Sequence, residues 1–316
     1  MKVSRPRIER RALHGVLLLD KPLGLTSSTA VQRVKRLYRA EKAGHTGTLD
    51  PLATGLLPIC FGAATKFAQV SLDADKRYRA TLRLGVTTTT GDAEGTVLER
   101  RAVDVDREQM AAACARFVGN IAQCPPMHSA LKHEGRPLYA YARAGVQIER
   151  ASRPVTIHAI DIVGGQGDCW TLDVHCSKGT YVRKLAEDIG EALGCGAHLQ
   201  ALHRTASGPL TVAAAHAIEA LETLDEAARD ALLLEPDALL AEWPVVRLEG
   251  DEAGRFLSGL RRRVALPDAP HVRVYGPEPK AFLGGGHIAG GELISTRLLS
   301  PIEAGAVQLA SVGLAR

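Results

Sequence analysis

Residues 44–55 carry the side chains best suited to chemistry. They read Gly-His-Thr-Gly-Thr-Leu-Asp-Pro-Leu-Ala-Thr-Gly, with the imidazole of His45 and the carboxylate of Asp50 on one segment. Taken singly, an aspartate before proline is typical of a turn, and a histidine beside glycine needs no special role. Together they stand on a segment whose glycines allow a close backbone approach to a ligand. The segment therefore predicts a site for a large ligand.

The sequence predicts neither a metal nor a cofactor. The six cysteines form no Cys-x-x-Cys pair, so a zinc ribbon is not expected and the thiols should be reduced. Residues 62–66 lack the Gly-Lys-Ser/Thr of a phosphate-binding loop, and no Gly-x-Gly-x-x-Gly occurs at a strand-helix junction. Nucleotide cofactors therefore have no expected binding site.

The charge is distributed unevenly along the chain. Residues 1–211 hold 29 Lys and Arg against 20 Asp and Glu, whereas residues 212–245 hold one Arg against eight acids. The basic two-thirds could bind a polyanion, although a solvated charged face is an equally simple interpretation. The 46% content of hydrophobic residues without a membrane-length apolar run predicts a globular cytoplasmic protein.

Several segments have recognisable periodicity. Residues 15–20 form a short aliphatic run typical of a buried strand, and residues 26–39 predict a helix capped by Thr26 or Ser27. Residues 76–86 and 169–177 alternate as strands do, and the second leads into a helix that Thr180 could cap.

Other segments predict the domain organisation. Residues 43–62 are expected to be a long functional loop, 123–150 an excursion from the sheet, and 212–242 helical. A domain boundary is placed near residue 246, after which short β-like runs are separated by glycines 284–286 and 290–291. Residues 1–13 predict a mobile basic arm.

Residues 44–55 resemble the catalytic loop of the TruB family of transfer-RNA pseudouridine synthases, which make pseudouridine at position 55 of the T arm. The resemblance covers residues 14–210 and continues more loosely to the end. Seven further segments follow in the family's order: 20–24, 62–66, 76–78, 90–95, 125–132, 153–155 and 179–183.

The resemblance implies an α+β fold, with a mixed, mainly antiparallel sheet flanked by helices. It implies a catalytic domain over residues 14–245, in which residues 123–152 are an insertion that clamps the T arm. Residues 246–316 resemble the small β-rich C-terminal RNA-binding (PUA) domain of the bacterial form. The partner implied is transfer RNA, bound by a monomer that needs no protein partner.

The same resemblance assigns roles by motif. Asp50 resembles the catalytic aspartate, and Arg183 the arginine that pairs with it and keeps it ionised. Tyr78 resembles the aromatic residue that stacks on the target uracil, Leu202 the aliphatic residue near it, and His45 the residue that enters the T loop.

One position departs from the family, and several further residues are candidates for contact with RNA. The family often has Leu-Arg-Arg where this chain has His203 in the middle, which puts a charged contact there in doubt. The candidates for substrate binding are Lys21, Lys66, Asp92, Lys132 and Tyr181, with arginines 77, 79 and 83 as possible phosphate contacts.

Two rival functions stay open at this point. A non-catalytic RNA-binding protein could use the same cleft to open the T arm, but it would not need Asp50. A guide-RNA-dependent synthase is disfavoured because residues 246–316 resemble the bacterial form.

Overall fold

The structure is a computed structural model that describes residues 9–277 and 281–311. Most of the expected basic arm, residues 1–8, lies outside this range. At its described end, Arg11 forms a bridge with the backbone of Ala40 and an ion pair with Asp230. The end of the arm that the structure describes is therefore fixed to the body of the protein.

Strands occur from residue 15 to residue 298 of the described chain. In chain order they are β1 (Gly15–Lys21), β2 (Ala43–His45), β3 (Ala53–Phe61), β4 (Lys76–Leu84), β5 (Val86–Thr88), β6 (Val97–Arg100), β7 (Gly119–Gln123), β8 (Lys132–His133), β9 (Arg136–Pro137), β10 (Arg153–Gln166), β11 (Cys169–Cys176), β12 (Ala197–Ser207), β13 (Leu210–Thr211), β14 (His216–Ala217), β15 (Val245–Arg247), β16 (Arg262–Arg263), β17 (Ala269–Tyr275), β18 (Phe282–Ala289) and β19 (Glu292–Leu298).

The helices are mostly short. They are α1 (Ser27–Leu37), α2 (Ala68–Asp73), α3 (Arg107–Ala115), α4 (Leu138–Arg143), α5 (Val182–Ala192), α6 (Ile218–Thr223), α7 (Glu226–Asp230), α8 (Gly250–Leu257) and α9 (Pro301–Ser311), with 3-10 turns at Gly62–Phe67, Val212–Ala214 and Pro236–Leu240. Within the described residues, no helix has the length and apolar character needed to cross a membrane.

The main sheet confirms the expected α+β architecture. It has ten strands in the part of the chain that the structure describes, with the order β14-β1-β3-β12-β4-β11-β10-β7, while β2 pairs with β3 and β13 with β12. Among the described strands of this sheet, only the β1–β14 and β3–β12 pairs are parallel. The sheet is therefore mixed and mainly antiparallel.

The aliphatic run of β1 follows from burial on both faces. Leu17 and Leu19 pack on one face with α1, whereas Val16 and Leu18 pack on the other with residues of the C-terminal region. A strand that is buried on both sides reads as a continuous hydrophobic run rather than as an alternation. The C-terminal region thus completes the core under β1.

Two apolar clusters share the other face of the main sheet. One is built around α1, and the other joins α3 and α5 to β4 and β11. Tyr78 and Leu202 contact both clusters, while Leu49 belongs to the first and Leu52 packs against the second. The short loop that carries Asp50 therefore lies where the two clusters meet.

A second sheet begins at Val245 and has the order β15-β17-β18-β19-β16. The expectation that Gly284, Gly285 and Gly286 separate β-like runs is wrong, because all three lie inside β18. A Cβ at Gly286 would stand 2.6 Å from the carbonyl oxygen of Ile294. These glycines therefore allow close strand packing.

Three further local expectations need correction. The loop expected over 43–62 is shortened to 46–52, because β2 and β3 take up most of it. The acidic stretch 212–242, expected to be helical, holds short helices, 3-10 turns and the strand β14. Thr180 does not cap α5, since its hydroxyl donates to the carbonyl of Ser177.

Candidate active site

The backbone beside Asp50 is fixed by the first turn of α1. The hydroxyl of Ser27 accepts a hydrogen bond from the amide of Leu49 at 2.7 Å and donates to its carbonyl at 3.0 Å. Ser27 is 2% exposed, so this clamp is shielded from water. Asp50 thus follows a residue held from both backbone groups.

Arg204 holds the other end of the same loop, and the sequence analysis did not single it out. Its guanidinium donates to the carbonyls of Leu56 at 2.7 Å and Gly47 at 3.1 Å. Gly55 lies close to β12, the strand that carries Arg204. A Cβ at Gly55 would stand 2.4 Å from the carbonyl oxygen of Arg204. In the sequence, Arg204 was marked only by its place after His203 in the Leu-His-Arg segment. The ring of His203 lies 2.9 Å from the hydroxyl of Thr54.

Arg183 brings α5 to the carboxylate of Asp50. Its Nη2 lies 3.0 Å from Oδ2 of Asp50, where the side chains are 7% and 43% exposed. The same guanidinium donates to the carbonyls of Thr90 at 3.1 Å and His128 at 2.6 Å. A buried, fully engaged cation therefore orients a carboxylate that is open to a substrate.

Asp92 is the second acidic partner of Arg183. Its Oδ2 lies 3.5 Å from Nη1 of Arg183, and its Oδ1 accepts from the Thr90 hydroxyl at 2.5 Å and the Glu94 amide at 3.1 Å. Asp92 is 3% exposed. It was expected to bind substrate, but this burial gives it the role of positioning Arg183.

Burial raises the pKa of Asp50, and the nearby Asp92 adds to this rise, whereas Arg183 and Lys21 oppose it. Arg183 therefore favours the ionised carboxylate, as expected, but desolvation is the larger effect.

Lys21 stabilises the turn opposite the loop instead of facing solvent. It is fully buried, and its Nζ donates to the carbonyls of Pro22 and Leu25 at 2.9 and 2.6 Å. Desolvation lowers the pKa of Lys21 to about 8, against the attraction of Asp50. This burial suits a positioning role for Lys21 rather than the substrate contact expected from the sequence.

Tyr78 and Leu202 line the sheet beneath the loop. Tyr78 pairs with Arg204 across β4 and β12, and Leu202 pairs with Ala53 at the start of β3. Burial raises the pKa of Tyr78, so its phenol is neutral. Both residues are partly buried where the two apolar clusters meet. They therefore offer an apolar surface on which an aromatic base could stack.

His45 lies on the loop side of this surface. Its Nδ1 accepts from the amide of Gly47 at 3.3 Å, and burial lowers the pKa of His45. The imidazole is therefore neutral at pH 7, which suits insertion among bases rather than contact with a phosphate.

The segment 124–152 leaves the sheet between the paired residues Gln123 and Arg153. The Gln123 side chain accepts from the amide of Tyr181 at 2.7 Å and donates to its carbonyl at 3.2 Å. Tyr181 thus joins the insertion to the start of α5 through its backbone. Lys132 is exposed on the β8–β9 hairpin of this segment.

Lys66 is not brought to the site. Its Nζ lies 2.6 Å from the carboxylate of Glu303 and donates to the Leu298 carbonyl at 3.0 Å. Lys66 therefore connects the region after β3 to the C-terminal region, away from Asp50. Of the strand arginines, Arg79 and Arg83 form ion pairs with acids of the β11 region.

The fold of the chain is similar to that of two solved complexes that contain Cbf5. It aligns with "Crystal structure of the archaeal box H/ACA sRNP Nop10-Cbf5 complex" with a TM-score of 0.69 and 23% identity, over 91% of this chain and 86% of that one. It aligns with "Crystal Structure of a Cbf5-Nop10-Gar1 Complex" with a TM-score of 0.70 and 24% identity, over 91% and 85%. At this identity the likeness shows the fold alone.

The sequence comparisons give the family. Three family descriptions match: "TruB family pseudouridylate synthase (N terminal domain)" over residues 35–182, "tRNA pseudouridylate synthase B C-terminal domain" over 183–241, and "Pseudouridine synthase II TruB, C-terminal" over 244–299. The chain is 58% identical to the tRNA pseudouridine synthase B of Verminephrobacter eiseniae, over 95% of this chain and 93% of that protein. It is 57% identical to that of Burkholderia mallei, over 93% and 97%. The chain belongs to the TruB family of pseudouridylate synthases.

Proposed function

We propose that this protein isomerises the uridine at position 55 in the T arm of transfer RNA to pseudouridine, with Asp50 as the essential group. The observation that carries the proposal is the accessible Asp50 carboxylate, held 3.0 Å from the buried Arg183 beside Tyr78 and Leu202. The named relatives are tRNA pseudouridine synthases, which supports the choice of RNA.

The reaction is balanced without a cofactor. The N1–C1′ bond breaks, the C5–C1′ bond forms, C5 loses its hydrogen and N1 gains one. No electron is transferred and no other group enters or leaves. A carboxylate can serve this reaction by attacking C1′ or C6, or by stabilising elimination to a glycal.

The uridine must leave its stack before Asp50 can reach it. Extrusion of a base costs a few kcal/mol, and stacking on an aromatic ring returns about 1–3 kcal/mol. Tyr78 offers that ring, Leu202 lies beside it, and the neutral His45 can fill the space that the base vacates. The site thereby offsets much of the cost of base flipping.

The insertion offers a surface for the rest of the T arm. Arg136 lies over the Tyr141 ring at 5.0 Å, and Arg143 over the Tyr139 ring at 5.4 Å. Cations beside aromatic rings suit both phosphates and bases. Lys132, Arg136, Tyr139 and Arg143 are exposed and Tyr141 is half-buried. Arg183 connects this insertion to the site through the carbonyl of His128.

A T-arm stem-loop labelled with tritium at C5 of the target uridine tests the proposal. The purified chain should release the tritium into water and leave pseudouridine at that position alone. Asp50→Asn should bind the same stem-loop without releasing tritium. Binding without release by the wild-type chain would favour the non-catalytic RNA-binding alternative.

The proposal includes a monomer that acts on transfer RNA in the cytoplasm without a protein partner. Activity of the purified chain alone, together with its mass in solution during turnover, tests this part. Activity that required an added protein would contradict it.

A further inference from the structure

Three residues far apart in the chain meet on the face of the main sheet opposite the candidate active site. Nε2 of His158 lies 3.0 Å from Oδ2 of Asp75, and Nε2 of His175 lies 3.9 Å from the same oxygen. One ligand atom from each residue lies within 4.8 Å of the other two. The side chains are 35%, 29% and 46% exposed for His158, His175 and Asp75, so solvent ions can reach them.

The sheet positions these groups by register and by a bulge. His175 alternates with the buried Val174 and Cys176 on β11, so it points away from the core that holds Tyr78. The pairing between β10 and β11 shifts between Ile157 and Ala159, which leaves His158 as the extra residue. Bulges of this kind redirect a side chain.

The spacing of the three atoms suits a transition metal. Zinc binds histidine nitrogen and carboxylate oxygen at about 2.0–2.2 Å, which places tetrahedral ligand atoms about 3.4 Å apart. The measured 3.0 and 3.9 Å lie on either side of that value. Two imidazoles also favour zinc over magnesium or calcium, which prefer oxygen ligands.

We propose that Asp75, His158 and His175 form a binding site for Zn²⁺, with the fourth position open to water. The bound ion would connect the turn after α2 to β10 and β11. Because β10 begins where the insertion ends, the ion would stabilise the strand that carries the returning chain. The site lies on the opposite face from Asp50, so the proposed isomerisation does not use it.

One neighbouring charge opposes the ion. Arg77 stands directly across from His175 in the β4–β11 register and is exposed. Its positive charge weakens the attraction of Asp75 for a cation. Replacing Arg77 by glutamine should therefore tighten Zn²⁺ binding, a change that a simple loss of structure would not produce.

The test is calorimetric titration of the untagged full chain with Zn²⁺ in a buffer free of phosphate and chelators. The background is Cys124→Ser with Cys169→Ser, since these are the two cysteines that are not buried. We expect one Zn²⁺ per chain, no binding of Mg²⁺, and a higher melting temperature with Zn²⁺ present.

Matched substitutions decide the assignment. His158→Gln and His175→Gln should each raise the Kd for Zn²⁺ by at least about tenfold. His287→Gln, a histidine of the second sheet, should leave the Kd unchanged. All variants are compared in the same Cys124→Ser, Cys169→Ser background. The proposal is overturned if the chain that keeps both histidines binds Zn²⁺ no more tightly than the double variant His158→Gln with His175→Gln, or if His287→Gln is equally harmful.

Discussion

Arg183 is 7% exposed while its partner Asp50, 3.0 Å away, is 43% exposed. The arginine is further held by backbone carbonyls and by the buried Asp92, so its position does not depend on Asp50. A carboxylate that keeps one oxygen on a fixed cation retains its other oxygen for a substrate. This relationship makes the two residues separable by mutation.

Asp50→Asn should abolish isomerisation while RNA binding survives. The change removes the charge and the nucleophile but keeps nearly the same volume, and Arg183 retains its other partners. We expect the single-turnover rate to fall by at least about a thousandfold, as for the loss of other essential groups. Rate and affinity on one T-arm stem-loop check this. A residual rate above that level would show that Asp50 is not essential.

Arg183→Met should be far more harmful than loss of an exposed lysine. Removing one partner of a buried ion pair typically costs about 3–5 kcal/mol, and Asp92 is the acid left buried without its cation. Lys132→Met is the matched control and should mainly weaken binding and its salt dependence. Normal turnover by Arg183→Met with weaker binding alone would assign Arg183 to phosphate contact instead.

The pH dependence of the rate should reflect the raised pKa of Asp50. The ionised carboxylate is the active form, and it predominates above the pKa, so the rate falls as the pH drops through it. Arg183 lowers the pKa of Asp50 and so opposes the effect of burial. The shorter Arg183→Lys side chain should make a weaker contact, so the pH at which the rate falls should move to a still higher value. Single-turnover rates from about pH 4 to 8 measure this. An acid limb below the ordinary range for aspartate would contradict the desolvated carboxylate.

Chelation should leave the isomerisation rate unchanged, because the proposed chemistry uses only Asp50 and its neighbours. The single-turnover rate is measured with EDTA on a stem-loop whose folding is checked separately. Loss of activity that returns on adding Zn²⁺ would show that a metal takes part. A lower melting temperature with an unchanged rate would agree with a metal bound on the opposite face.

The second sheet should be needed for stability as well as for RNA binding. The rings of Phe67 and Phe282 lie 5.3 Å apart in the cluster that covers β1, so Phe282→Ala should cost about 3–5 kcal/mol and reduce activity equally on stem-loop and full-length transfer RNA. Arg261→Ala is the matched surface change, since that side chain is 66% exposed. It should leave the melting temperature unchanged and weaken only full-length binding. If Phe282→Ala unfolds at the wild-type temperature, the packing of Phe282 against Phe67 does not stabilise the protein.

Local patterns in the sequence were enough to predict the elements that carry the site. The alternation of residues 76–86 predicted β4, which ends at Leu84, the glycines and proline around Asp50 predicted the loop, and Thr26 caps α1 as expected. Such features depend on backbone preference and on side chains within a few residues of one another. Residues 44–55 and the order of the seven further segments were sufficient to predict the family, since both can be read from the sequence alone.

Other features depended on residues brought together from distant parts of the chain. Lys66 pairs with Glu303, Lys21 is fully buried, and Arg204 reaches back to Gly47. In the sequence these are ordinary charged residues, because the identity of a side chain does not reveal whether it faces solvent or a backbone carbonyl. Burial by another part of the chain decided which basic residues position the loop and which can meet RNA.

The sequence by itself was enough to predict the loop that carries Asp50, because that loop depends on adjacent residues, and the order of its motifs implied the α+β class through the family resemblance. Only the tertiary structure decided that Asp92 positions Arg183 and that Asp75 meets His158 and His175. Those contacts depend on strand register and on a bulge in β10, and register is set by the packing of the whole sheet.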